Sequence, residues 1–97
     1  MACLVIGEVN MAREVYEGMI GQLAPRIQGS PGFVLHAGGD SGGGKWRVIE
    51  VWESQADAES WFENNVRPNL PDGVTPNREY HDLHTVVTKE KVDSSSG

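Results

Sequence analysis

The order of strand-like and helix-like segments constrains this chain more than any other feature. Apolar residues at strand spacing mark four segments, 3–9, 33–38, 45–53 and 80–88. Helical spacing marks two others, at 11–23 and 58–66. The order is therefore βαββαβ. Together with the preference for right-handed crossovers, it predicts a ferredoxin-like α+β protomer: a four-stranded antiparallel sheet with both helices on one face.

Local signals set the expected ends of these elements. Asn10 is expected to cap the first helix, and Pro25 to end or kink it. Ser54, with Asp57 three residues later, is expected to cap the second helix. The stretch "GDSGGGK" has the spacing of a phosphate-binding loop. It leads into a strand and is followed by Trp46, so a hairpin turn is the better interpretation.

Size and charge narrow the class of protein. A chain of 97 residues predicts one domain, placed at 1–88, with 89–97 as a polar, disordered tail. The net charge of −6 argues against nucleic acid and anionic membranes as partners. No stretch approaches the ~20 apolar residues that span a bilayer. The single cysteine, Cys3, lies in an apolar run and fits a reducing, cytoplasmic location.

Alternation along the strands predicts two unlike sheet faces. One is nearly all apolar and is expected to pack on the helices. The other places Trp46, Glu50 and Trp52 with His36 and His84. A mixed face of this kind is expected to stay uncovered in the protomer and to meet a second copy, so that Glu50 points into a cavity that a homodimer closes.

The ionisable residues of the mixed face are the candidate catalytic groups. His36, Glu50 and His84 can act as proton donors and acceptors near neutral pH. Two histidines and a carboxylate can also ligate a metal, or form a hydrogen-bonded interface without chemistry. These alternatives stay open at the level of the sequence.

Aromatic and amide side chains are the candidate substrate contacts. Trp46, Trp52 and Trp61 are the aromatic candidates. Trp52 and Trp61 are expected to shape an apolar wall, although a tryptophan at helical spacing, like Trp61, is commonly a core residue. Asn10 is either a helix cap or a polar substrate contact.

The segment "WRVIEVWESQADAESWFENNVRPNL", with "PGFVLHAGG" before it and "HDLHTVV" after it, resembles the antibiotic biosynthesis monooxygenase family. The resemblance implies a homodimeric α+β barrel. Family members include cofactor-independent oxygenases of aromatic polyketides and heme-degrading monooxygenases. A tryptophan of the second helix takes part in the oxygenase site, and Trp61 matches it.

The chain departs from the family pattern at two positions. Heme-degrading members have an iron-ligating histidine ten residues beyond that tryptophan, where Pro71 stands here. Quinone-forming members have an asparagine four residues before it, where Asp57 stands. A site arginine of those enzymes has Arg67 and Arg78 as candidate counterparts.

The resemblance leads us to expect a monooxygenase that needs no cofactor or metal and acts on a small aromatic or polyketide-like molecule. The alternative is a polyketide cyclase or a non-catalytic small-molecule-binding barrel.

Overall fold

The computed structural model of the protein describes residues 1–90 and 92–94. Its six strands are β1 (Ala2–Val9), β2 (Phe33–Gly42), β3 (Lys45–Trp52), β4 (Asn77–Leu83), β5 (Thr85–Val87) and β6 (Val92–Ser94). Its helices are α1 (Arg13–Gln28) and α2 (Gln55–Trp61), and α2 continues into a π-helical segment, Phe62–Val66, and a 3₁₀ turn, Arg67–Asn69. No helix of the described residues is both long and apolar enough to cross a membrane.

The main sheet has four strands in the order β2-β3-β1-β4, and all neighbouring strands are antiparallel. Both helices cover the same face. Cys3 and Val5 of β1 form one buried cluster with Leu23 of α1 and with Ala58 and Trp61 of α2. The prediction of a ferredoxin-like α+β protomer is confirmed.

The hairpin between β2 and β3 turns at Gly43 and Gly44, whose φ angles are 62° and 76°. Glycine adopts positive φ without a steric penalty, as the tight turns of two-residue hairpins require. The stretch "GDSGGGK" is therefore part of a hairpin, as expected, but the second strand, expected at 33–38, extends to Gly42 and leaves only Gly43 and Gly44 as the turn.

The start of α2 is as expected, whereas that of α1 is not. Ser54 Oγ accepts a hydrogen bond from the Asp57 backbone N–H at 3.1 Å. Asn10 does not cap α1: Met11 N–H donates to the Val9 carbonyl in a turn, Ala12 is the N-cap, and the helix begins at Arg13. The helix also continues through Pro25 for three more residues.

The fourth predicted strand is divided in two. The strand expected at 80–88 begins earlier, at Asn77, and is interrupted at His84. Its second part, β5, pairs with β6. β6 lies within the segment predicted as a disordered tail, of which residues 91 and 95–97 lie outside the described part of the chain.

The assignment of the mixed face as the uncovered one was wrong. Residues opposite each other on neighbouring strands share a face, and β3 pairs Glu50 with Val5 and Trp52 with Cys3 of β1. Cys3 and Val5 are fully buried under the helices. Glu50, Trp46 and Trp52 therefore face α1 and α2 within one protomer. The uncovered face carries Leu4, Ile6, Leu35 and Ile49 instead.

A β-bulge at Val34 adjusts the face of β2. Phe33 is paired with Trp52, and Leu35 with Val51. An advance of two residues along β2 therefore corresponds to an advance of one residue along β3. A bulge adds one unpaired residue and shifts the alternation after it. As a result both Phe33 and His36 lie on the helix-facing side.

Candidate active site

A largely apolar cavity lies between the helix-facing side of the sheet and the helices. Its volume is about 90 Å³. Met19 and Ile20 of α1 line one side, and Trp61, Phe62 and Val66 line another. The polar side chains that reach it come mainly from the sheet, above all His36, Glu50 and Arg78.

Glu50 is the polar centre of the site. Its carboxylate is almost entirely buried, with a side-chain exposure of 4%. Oε2 accepts from His36 Nδ1 at 2.8 Å, and Oε1 accepts from Trp52 Nε1 at 3.0 Å. Burial raises the pKa of Glu50, but hydrogen bonds from His36 and Trp52, with the charges of His36 and Arg78, outweigh it and lower the pKa. Glu50 is therefore ionised at neutral pH.

His36 links Glu50 to helix α1. The two residues lie directly opposite each other on β2 and β3, which brings their side chains together as a cross-strand pair. The other ring nitrogen, Nε2, lies 2.7 Å from the Tyr16 hydroxyl. The result is a continuous hydrogen-bonded chain, Tyr16–His36–Glu50, at the wall of the cavity.

Tyr16 is held in place by aromatic packing. Its ring lies 4.8 Å from that of Trp46, centroid to centroid. Burial raises the pKa of the Tyr16 hydroxyl; the Trp46 indole acts in the opposite direction, and the charge of Glu50 raises the pKa further. The net effect keeps Tyr16 protonated at neutral pH.

Arg78 adds a cation to the site. Its guanidinium lies 4.1 Å from the centre of the Phe62 ring, and its Nε donates to the Tyr80 hydroxyl at 3.2 Å. Nη2 lies 3.9 Å from Glu50 Oε1, is buried, and has no hydrogen-bond partner among the described residues. A buried donor without a partner is rare, and here it offers a binding position for an acceptor oxygen in the cavity.

The predicted catalytic residues do not all meet. His36 and Glu50 are in direct contact. His84 is exposed between β4 and β5, and its Nδ1 contacts the hydroxyl of its own neighbour, Thr85. No group of three or more His, Cys, Asp or Glu suited to a metal ion occurs among the residues that the structure describes. The two-histidine, one-carboxylate arrangement does not form.

The predicted substrate contacts have separate positions. Trp61 lines the cavity. Trp52 is fully buried behind it and donates to Glu50, so it supports the carboxylate. Trp46 packs on Tyr16, and its Nε1 is buried without a hydrogen-bond partner among the described residues. Asn10 lies outside the cavity lining, with its Nδ2 3.4 Å from the Gly73 carbonyl.

The sequence did not identify Tyr16 as a site residue, although Tyr16 lies within the segment 11–23 whose apolar spacing predicts the first helix. One signal could have identified it: a tyrosine among the apolar residues of a helix needs a hydrogen-bond partner for its hydroxyl, which points to a polar group nearby. Arg78 entered only as one of two arginine candidates, and its burial distinguishes it from the exposed Arg67.

No protein-family model and no curated protein matches this sequence. Solved structures do match its fold. SnoaB, a cofactor-independent oxygenase from Streptomyces nogalater, has a TM-score of 0.64 at 14% identity, over 91% of this chain and 98% of its own. A protein of unknown function from Nitrosomonas europaea has a TM-score of 0.64 at 13% identity, over 91% and 95%.

A heme-degrading protein from Mycobacterium tuberculosis has a TM-score of 0.57 at 19% identity, over 86% of this chain and 93% of its own. At these identities the comparisons show the fold that the chain shares with these proteins.

Proposed function

We propose that this protein is a homodimeric, cofactor-independent monooxygenase of a small phenolic substrate. The observation that carries the proposal is the part-buried Tyr16–His36–Glu50 chain at the wall of an apolar cavity. A chain of this kind can remove the proton of a phenol that is held in the cavity. The fold shared with SnoaB, named as a cofactor-independent oxygenase, supports the same activity.

The reaction begins with a phenolate. Loss of the phenolic proton makes the ring electron-rich, and the Arg78 guanidinium is placed to stabilise the negative oxygen. The phenolate passes one electron to O₂, which gives a phenoxyl radical and superoxide. These two radicals combine to form a peroxide on a carbon atom of the ring. Loss of water leaves a carbonyl. The ring C–H and the phenolic O–H thus become two C=O groups, one oxygen atom of O₂ stays on the ring carbon and the other leaves as H₂O with the two hydrogens, and the substrate supplies every electron.

The cavity limits the size of the substrate. Pockets for drug-sized ligands typically have ~300–1,000 Å³. The space here, about 90 Å³, suits a single ring. A polycyclic substrate requires side-chain movement, for which Met11 and Met19 at the cavity wall are well suited because methionine is flexible.

Oxygen uptake by the purified protein tests the proposal. We expect one O₂ consumed per product with a one-ring or anthrone-type phenol, without added metal, heme or flavin, and with chelator present. Glu50→Gln is expected to lower the rate by ~10²-fold or more, because it removes the charge that supports the base. Glu79→Gln, on an exposed carboxylate of β4, is the matched control.

The same measurement separates the alternatives. A cyclase would convert a poly-ketone in the cavity without consuming oxygen, and the Tyr16–His36 pair could supply its proton transfers. A binding protein would bind a phenol and leave it unchanged. Turnover that stops on chelation would contradict the cofactor-independent proposal.

The homodimer rests on the uncovered sheet face. Leu35 and Ile49 expose 41% and 38% of their surface there. A second copy that packs sheet to sheet on this face would cover these residues and complete an α+β barrel.

A further inference from the structure

His36 has no ring nitrogen free for a substrate. Nδ1 is 2.8 Å from Glu50 Oε2, and Nε2 is 2.7 Å from the Tyr16 hydroxyl. A general base must have a lone pair within hydrogen-bond reach of the proton that it removes. His36 meets this condition only through Tyr16, whose side chain also lines the cavity.

We propose that Tyr16 is the catalytic residue that exchanges a proton with the substrate, and that His36 and Glu50 are positioning residues that act through it. This inference rests on the proposed function, since it assigns the residue that performs its first step.

The hydrogen bonds fix the direction of the relay. Ionised Glu50 only accepts, so His36 donates from Nδ1–H; in the neutral ring that the relay requires, Nε2 keeps the lone pair. The Tyr16 O–H donates to that lone pair. The remaining lone pairs of the Tyr16 oxygen are then available to a phenol in the cavity. This is the hydrogen-bond order of a Ser-His-Asp triad, with a phenol in place of the alcohol.

The proton transfer is balanced. The substrate O–H proton moves to the Tyr16 oxygen as the Tyr16 proton moves to His36 Nε2. The O–H bonds of the substrate and of Tyr16 break. A new O–H bond forms on Tyr16, and an N–H bond forms on His36. The products are a phenolate, a neutral tyrosine and an imidazolium beside the Glu50 carboxylate. No electron is transferred until oxygen reacts with the phenolate.

The surroundings favour this assignment. Burial, above all, keeps Tyr16 protonated at rest, so it has a proton to give to His36. The charged groups that face the relay are Glu50 and, beside it, Arg78, whereas the Glu8 carboxylate pairs with Lys45 and Arg47. Arg78 can pair with the phenolate as it forms, while Glu50 pairs with the imidazolium.

Binding of para-nitrophenol tests the relay without turnover, because the phenolate form absorbs at a longer wavelength than the phenol. We expect the wild-type protein to lower the apparent pKa of the bound probe relative to the free probe. Tyr16→Phe keeps the ring packed on Trp46 but removes the hydroxyl. The acid dissociation constant of the bound probe should be about tenfold or more lower in this variant than in the wild type. His36→Gln should have a similar effect, and His81→Gln, on an exposed histidine, should have none.

Nitrogen NMR of His36 gives a second measurement, which needs no ligand. The relay requires a proton on Nδ1 and none on Nε2 at neutral pH. A proton on Nε2 would reverse the hydrogen bond to Tyr16 and overturn the proposal. An unchanged probe titration in Tyr16→Phe would do the same, and so would a wild-type protein that does not bind or does not ionise the probe.

The two proposals fail separately. A probe that ionises through Tyr16 in a protein that consumes no oxygen with any phenol would leave the relay standing and remove the oxygenase. Oxygen uptake that is unaffected by Tyr16→Phe would keep the oxygenase and remove the relay. If both hold, Tyr16→Phe should lower oxygen uptake by ~10²–10⁴-fold.

Discussion

At the scale of single residues, Glu50 shows how a small protein keeps a charge in its interior. A buried carboxylate is costly unless it is paired and hydrogen-bonded. Here Trp52 donates to one oxygen and His36 to the other, with Arg78 nearby. The tryptophans that flank Glu50 along β3 are therefore part of its environment rather than of an external surface.

The lowered pKa of Glu50 predicts a pH dependence of stability. Because its pKa in the folded state is below the ordinary value of 4.5, ionised Glu50 stabilises the fold at neutral pH. That contribution is lost as pH falls below about 4.5 and through the folded-state pKa. We expect the difference in unfolding free energy between wild type and Glu50→Gln, measured in urea, to shrink from pH 6 towards pH 3. A difference that grew on acidification would contradict this.

Gly38 sets the position of the Tyr16 hydroxyl. A Cβ at residue 38 would lie 2.7 Å from Tyr16 Cζ and 3.0 Å from Trp46 Nε1. We expect Gly38→Ala to displace Tyr16, break its bond to His36 and lower oxygen uptake by ~10-fold or more, in line with loss of a proton relay. Gly39→Ala meets nothing within 4 Å, so it should retain wild-type activity. Equal rates in the two variants would show that Tyr16 tolerates the displacement.

At the scale of secondary-structure elements, the second helix was predictable at its start but not along its length. A Ser54 side chain and an Asp57 amide lie close in sequence, so a local rule finds the cap. The π-helical segment has no such local signal. Its Phe62 is buried and lies under the Arg78 guanidinium, a contact between residues 16 positions apart in the chain. π-Helical turns occur frequently at functional sites, and this one lines the cavity.

Removal of the Ser54 cap should destabilise the fold modestly. Ser54→Ala leaves the Asp57 amide without its acceptor, and we expect a loss of about 1 kcal/mol in unfolding free energy. Ser54→Asp restores an acceptor at the same position and should recover most of that loss. Chemical denaturation of the two variants measures the difference. Equal losses would show that the hydroxyl, rather than its acceptor role, is required.

At the scale of the whole molecule, strand order was predictable and face assignment was only partly so. His36 and Glu50 were correctly placed on one face, because the hairpin between their strands is local in sequence. β1 was matched to the wrong side of β3: Val5 lies under the helices as expected, but beside Glu50 rather than on the same side as Ile49 and Val51. Its two sets, Cys3 and Val5 against Leu4 and Ile6, are both apolar, so alternation alone does not show which set lies under the helices.

The uncovered sheet face predicts self-association. Ile49 on this face and Val15 on α1 are each 38% exposed. A substitution at Val15 can therefore serve as the control for the same substitution at Ile49. Lys at position 49 would place a charge within an apolar interface. We expect Ile49→Lys to weaken a dimer by ~10-fold or more in sedimentation experiments, the scale of one lost hot-spot contact. Val15→Lys should leave the dimer intact. A wild-type monomer at micromolar concentration would contradict the homodimer.

The bulge at Val34 makes the position of His36 depend on the length of β2 as well as on its composition. With strict alternation from Phe33, residue 36 would face away from the helices. One inserted residue restores the helix-facing side for His36 while Phe33 stays in the core. A single insertion or deletion is thus enough to gain or lose contact between this histidine and Glu50, without any change in the side chains themselves. Among proteins of this fold, the insertion or deletion of one residue in the second strand can therefore create or remove such a site.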